Sequence, residues 1–273
     1  MSLSRRSRPQ LLAIGGSLVA LVALAGCADV AEVAEPETRS FGAAPEELSI
    51  TTDGSGAQLV IRGADVEEIE VTRWFAGEPF MGSAEATWEL TGDTLLLATE
   101  CGGFLIGRCD ARYEVLVPAD VTTLAITGSS GSITATDLEV ELEVSSQSGA
   151  VDVSGITGTT TVSSESGAVD VGDIDGEQLT VRSQSGAVQA TDLIAARIDV
   201  ESRSGSVDLE VLAPADELLV TTQSGAVTVE VPEVPYQLDT ETDSGSVTSN
   251  LTENSDAENT ITLKTSSGSI TAG

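Results

Sequence analysis

Histidine is absent from the 273 residues. That removes Ser-His-Asp and Cys-His catalysis and the commonest metal ligand. Lysine occurs once, at Lys264, and arginine carries the remaining positive charge. Against 12 bases stand 44 acids, a formal net charge of −32. A surface this acidic repels nucleic acid and anionic headgroups, so no nucleic-acid partner is expected. Only eight residues are aromatic, and seven of them precede residue 121. The longest apolar run, Leu11 to Ala25, is broken by Gly15, Gly16 and Ser17. It is shorter than the roughly 18 to 20 residues of a spanning helix. Cysteine is limited to Cys27, Cys101 and Cys109.

The N-terminus reads as an export signal. Arg5, Arg6 and Arg8 precede the apolar run, and Leu24-Ala25-Gly26-Cys27 ends it. This ending resembles the lipobox of bacterial lipoproteins. The resemblance implies cleavage before Cys27, a diacylglyceryl group on its thiol and acylation of the new amino group. Two or three acyl chains such as palmitate anchor stably where one does not. An ordinary signal peptide or a short anchor helix, with an incidental cysteine, is the alternative, and both Sec and twin-arginine export stay open. Residues 1–26 are thus the expected signal peptide. Without its three arginines the mature chain has nine bases against 44 acids, near −35. Residues 27–46, with Asp29, Glu32, Glu35, Glu37 and Glu46, are expected to form a lipid-anchored, disordered acidic tether.

Repeats dominate residues 119–273. Ser-Gly followed by a small residue and then Val or Ile recurs with glycines at Gly131, Gly149, Gly167, Gly186, Gly205, Gly225, Gly245 and Gly268. The steps are 18, 18, 19, 19, 20, 20 and 23 residues. Five residues before each glycine stand Ile126, Val144, Val162, Val181, Val200, Val220, Thr240 and Leu263. Two residues after it stand Ile133, Val151, Val169, Val188, Val207, Val227, Val247 and Ile270. The intervening positions are mostly Thr, Asp, Glu, Gln or Ser, so each repeat alternates with period two on two short strands. The phase slips across Ser-Gly, where glycine supplies a conformation that strains other residues. One such unit cannot bury its own apolar face, but stacked units can. The expected fold is all-β: a single-chain parallel β-solenoid of about eight 18–20-residue rungs, with the serines laddered at one corner. A β-sandwich of hairpins is the rival, and it gives no reason for one tetrapeptide per repeat. The serines read as register, because no base stands near them. Asp152, Asp170 and Asp208 share one outward position, where a solvated acidic face is favoured over a calcium site.

Residues 47–118 pose a different packing problem. Phe41, Trp74, Phe75, Phe80, Trp88, Phe104 and Tyr113 lie in or just before them, while Tyr236 alone falls in the repeats. Strand-like alternation runs through 58–62, 68–74, 86–90, 94–99 and 113–117. This segment is expected to be a β-rich module capping the first rung, since an open solenoid end exposes strand edges. Its aromatics serve packing, or else an exposed binding loop. Cys101 and Cys109 are expected to form a disulfide outside the cytoplasm. They have neither redox-motif nor zinc-pair spacing.

The order of lipobox, acidic stretch, Trp88-Glu-Leu-Thr-Gly-Asp-Thr-Leu95, the cysteine pair, Tyr113-Glu-Val-Leu-Val-Pro-Ala-Asp120 and Ser-Gly-x-Val repeats resembles a bacterial family of unknown function. These are candidate adhesins with stacked-strand "toast-rack" solenoid domains. The likeness covers about residues 45 to 273. It implies an envelope location and a β-solenoid, and it brings no catalytic, metal or cofactor residues. Two readings follow. One is a membrane-anchored, non-catalytic binding scaffold facing the extracytoplasmic side, with a glycan or envelope protein as partner. The other is an accessory of envelope-stress signalling that binds a membrane partner. A polysaccharide-acting β-helix enzyme is the remote third, short of the bases and aromatics such clefts need.

Overall fold

The computed structural model describes residues 34–54, 56–77, 83–102 and 109–273. The lipobox, Cys27, Phe80 and Phe104 lie outside the described residues. Within them the chain folds into 21 strands. The N-terminal seven are β1 (Pro36–Ala43), β2 (Glu47–Gly54), β3 (Gln58–Ala64), β4 (Glu68–Gly77), β5 (Ser83–Thr91), β6 (Thr94–Gly102) and β7 (Cys109–Pro118). The repeats supply β8 (Thr123–Gly128), β9 (Ile133–Leu138), β10 (Glu141–Ser148), β11 (Val151–Thr157), β12 (Thr160–Ser166), β13 (Val169–Ser183) and β14 (Val188–Ser204). The chain ends with β15 (Val207–Val211), β16 (Glu217–Ser224), β17 (Val227–Glu230), β18 (Gln237–Ser244), β19 (Val247–Ser249), β20 (Thr260–Ser267) and β21 (Ile270–Ala272).

Each Ser-Gly repeat places one strand on a front face and the next on a back face, and equivalent strands pair in parallel. Val144 pairs with Ile126 on one side and Val162 on the other. On the back face Val169 pairs with Val151 and Val188. The period-two apolar residues thereby form continuous columns inside a two-faced stack. Val144, Val162, Val181 and Val200 are fully buried, as are Val151, Val169, Val188 and Val207. Each such side chain contributes about 1.5–3 kcal/mol. Strands β13 and β14 run unbroken from the back face to the front. The two faces thus belong to one hydrogen-bonded sheet, and the stack is a β-solenoid.

A bulge adds a third apolar position to several rungs. Six residues after the corner glycine the backbone turns left-handed, at Asp137, Gly155, Asp173 and Asp192. The next residue then points inward, burying Leu138, Ile156, Ile174 and Leu193. Aspartate and glycine are the residues that tolerate this conformation.

Rung order departs from chain order at both ends. Strand β2 lies between β6 and β8, and β3 lies between β7 and β9. The segment expected as a separate module therefore adds two rungs to the same stack. Among the described residues, β1, β4 and β5 cap it, by antiparallel pairing of β5 on β6, β4 on β7 and β1 on β4. At the far end β20 and β21 slide between the rung of β16 and β17 and the rung of β18 and β19. The outermost rung is therefore the seventh Ser-Gly repeat, not the last. Its inward positions hold Thr240 and Ser249 where interior rungs hold apolar residues, which suits an end facing water.

The expected tether also needs revision. Residues 36–43 are a strand, with Glu37 ion-paired to Arg73 and Ser40 hydrogen-bonded to Glu68. Like charges do not disorder this stretch, because Arg39 within it and Arg73 on the neighbouring strand offset the acids.

Candidate functional site

The corner glycines are set by steric contact between rungs. A Cβ on Gly167 would lie 2.1 Å from the Gly149 carbonyl oxygen, and one on Gly186 would lie 2.0 Å from that of Gly167. Their φ values are +132° and +126°. Each rung hands a hydrogen bond to the next at this corner: Gly149 donates to Ser166 O and Gly186 to Ser204 O, at 3.0 and 3.1 Å. The same pattern continues at Gly205, Gly225 and Gly268. The serine ladder expected at this corner is thus made by main-chain atoms. Among the described residues, only Ser130 of the eight corner serines is seen to use its hydroxyl, donating to Gly54 O and accepting from Gly56 N at 2.9 Å each.

A second hydroxyl column lies three residues before each glycine, and the reading of the sequence did not single it out. Ser146, Ser164, Ser183, Ser202, Thr222 and Thr265 are buried at this inward position. Among the described residues, the hydroxyls of the first five find no hydrogen-bond partner. The signal was available: the position holds Gly128, Ser146, Ser164, Ser183, Ser202, Thr222, Thr242 and Thr265, small or hydroxylic in every repeat.

Above this column the front face carries an open trough of about 550 Å³ spanning the strands β10, β12, β13, β14 and β16. Its walls carry Ser145, Ser163, Arg182, Glu201 and Thr221 in one row and Glu165, Gln184, Arg203 and Gln223 in the next. Arg182 and Glu201 occupy facing positions on adjacent rungs and pair at 3.5 Å. Arg203 donates to the Gln184 amide oxygen at 2.9 Å. Beside the trough, burial pushes the Asp199 carboxyl above its usual range. Glu201 and Glu217 add to the shift, and Arg182 opposes it.

A second cluster sits on the cap. The Arg73 guanidinium stacks 4.3 Å from the Trp88 ring, and Arg39 stacks 4.5 Å from the Phe41 ring. Phe41 meets Trp88 edge-on at 6.2 Å. Arg73 also donates to Ala86 O. Phe41 and Trp88 pack against the core, so these aromatics serve the cap's packing. Tyr113 is fully buried, with its hydroxyl 3.1 Å from Ala98 O. Burial raises its pKa. Cys101 and Cys109 are joined in a disulfide between the ends of β6 and β7. On the back face Asp152 pairs in register with Asp170, and Gln189 separates Asp170 from Asp208. Among the described residues, no group of three or more acidic or cysteine side chains is placed to hold a metal ion.

The family model described as Toastrack DUF4097 matches residues 46–272. The chain belongs to this family. The toast-rack match begins beside β2 and ends in β21, so it takes in the whole stack of rungs. Among solved structures, a candidate adhesin from Bacteroides fragilis superposes with a TM-score of 0.56 at 11% identity, over 88% of this chain and 97% of that one. This likeness shows a shared fold. A candidate lipid-binding protein from Parabacteroides distasonis gives a TM-score of 0.48 at 15% identity, over 87% of this chain and 96% of that one. No curated protein matches the toast-rack chain.

Proposed function

We propose that this toast-rack protein is an adhesin-like scaffold, held to a membrane by lipid on Cys27, that binds on its extracytoplasmic side without catalysis. The observation that carries the reading is the trough: the repeats build a polar strip along the rod, open along its length. Enzyme sites instead close over a few groups with shifted acid and base strengths. In the trough both arginines are tied to neighbouring side chains, and the serines have no histidine to activate them. The Cys101–Cys109 disulfide suits an oxidising compartment. The lipobox-like Leu24-Ala25-Gly26-Cys27 supplies the anchor, and the residues before β1 supply a short spacer.

Two experiments test it. Wild-type protein partitions with membranes, and Cys27→Ala protein appears folded in the soluble fraction. A variant that still sediments with membranes refutes the anchor. Folded mature protein immobilised at micromolar density retains cells or cell-wall material. Failure to retain any of them refutes the scaffold role.

A further inference from the structure

The trough also indicates what it holds. This inference rests on the scaffold reading and narrows it to one ligand class. We infer that the trough takes an extended stretch of neutral glycan laid along the rod axis.

Charge favours a neutral ligand. The chain carries −32 overall, but the trough's charged walls are Glu165, Glu201, Arg182 and Arg203, which sum to zero. Arg182 and Arg203 are two of only four bases in the repeats, and both stand in this strip. An anionic polymer would meet repulsion from the surrounding protein over its whole approach. A cationic one would be drawn to acidic stretches elsewhere, such as the Asp152–Asp170 pair on the back face. A neutral chain has no electrostatic reason to avoid the strip.

Hydrogen-bond chemistry favours a sugar chain over a peptide. The floor is an unbroken parallel sheet whose main-chain groups already pair rung to rung. A peptide strand would find no free edge there, and strand addition is how extended peptides gain most of their affinity. The offered groups are side-chain hydroxyls, amides, guanidinium forks and carboxylates. This set gives donors and acceptors together, matching sugar hydroxyls that are themselves both. The contacts along the axis, Glu201 to Arg182 and Arg203 to Gln184, hold these groups in place before binding. Preorganisation of this kind lowers the ordering cost.

The length of the trough suits a polymer. Rungs stack about 4.8 Å apart, so five adjacent rungs offer roughly 20 Å of continuous wall. That length takes several sugar units, each meeting polar side chains from the two rows. Among the described residues no aromatic ring lines the trough, so each unit binds weakly and affinity grows with chain length.

The test is affinity electrophoresis of the detergent-solubilised full chain in native gels. The gels contain a linear neutral β-glucan, a neutral dextran, anionic polygalacturonate or no polymer. Retardation by at least one neutral polymer, deepening with its chain length, is expected. Arg203→Ala should weaken it by about fivefold, the loss of a single hydrogen-bonding group. Arg203→Lys should fall similarly, because a point charge does not replace the planar fork. Asp208→Asn on the back face should bind as wild type. Unchanged melting curves for all three variants exclude misfolding as the cause. The inference is overturned if neither neutral polymer retards the protein, if polygalacturonate retards it more strongly, or if Arg203→Lys binds like wild type. It is also overturned if a basic or extended peptide competes as well as glucan oligomers do. If the immobilised protein still retains cells and Arg203→Ala does not reduce that retention, the scaffold reading survives and the glycan assignment falls.

Discussion

Replacing Ser183 by alanine should make this protein more stable. Ser183 lies in the buried hydroxyl column, between Ser164 and Ser202 on the adjacent rungs. Among the described residues its hydroxyl finds no hydrogen-bond partner, and neither do those of Ser164 and Ser202. A buried hydroxyl without a partner costs about 1–3 kcal/mol relative to solution. Alanine removes that oxygen, keeps Cβ and leaves a void smaller than a methyl group. The lost packing returns a fraction of the gain, so the net is about +0.5 to +2 kcal/mol. Urea unfolding of the mature chain measures it. With a slope of about 1–3 kcal/mol/M, a gain of 1 kcal/mol moves the midpoint up by roughly 0.3–1 M at constant slope. The triple variant S164A/S183A/S202A should move it further, though less than three independent sites would, because the residues touch. A fall in midpoint for Ser183→Ala would refute the reasoning, since it would mean that the hydroxyl is bonded and contributes to the fold.

Val188→Asp should cost more than about 4 kcal/mol, because it places an unpaired charge between Val169 and Val207 in a fully buried apolar column; a melting temperature near wild type contradicts it. Gly186→Ala should cost more than about 3 kcal/mol, through a Cβ 2.0 Å from the Gly167 oxygen at a φ of +126°. Circular dichroism melts of Gly186→Ala beside the exposed-site control Ala187→Ser separate this clash from a general corner effect. Asp199→Asn should raise stability at neutral pH. The Asp199 carboxyl is raised from 3.8, first by burial, so the folded chain binds its proton more tightly than the unfolded chain. Its contribution is greatest below 3.8 and is lost as pH rises through the folded value. Urea midpoints between pH 4 and pH 7 should therefore fall less steeply with rising pH in Asp199→Asn, and an unchanged slope rules the mechanism out.

Much of the rod is legible in the sequence. The Val and Ile columns and the corner glycines were readable because a stacked repeat reuses one set of positions at every rung. The left-handed bulge was equally local: Asp or Gly stands six residues after four successive corner glycines. The hydroxyl column three residues before the glycine escaped notice because serine and threonine in alternation look like solvent-facing residues. Their burial follows from where the neighbouring rungs press. The trough is invisible in sequence for a related reason. Ser145, Glu165, Arg182 and Arg203 are far apart along the chain and meet only because each rung places its equivalent position beside the last.

The order of rungs is where the two levels part most clearly. Pattern alone determined the strand alternation, the repeat length, the two-faced rung and the acidic surface, because each depends on residues within one repeat. Which repeat ends the rod depended on tertiary structure. Thr240 and Ser249 announce a rung that can face water, but nothing local says that β20 and β21 will cross back inside it. The 23-residue final step supplies the slack for that crossing. Tyr236 anchors the loop that makes it: it is buried, donates its hydroxyl to Pro232 O at 2.9 Å and exchanges main-chain bonds with Thr252 and Asn254. At the other end β2 and β3 enter between rungs formed later in the chain, leaving β4 and β5 to pair over the outer edge. Parallel stacking is indifferent to chain order: any rung of matching register can lie on any other. The arrangement is chosen by which rungs can tolerate an exposed face, a property of the whole stack.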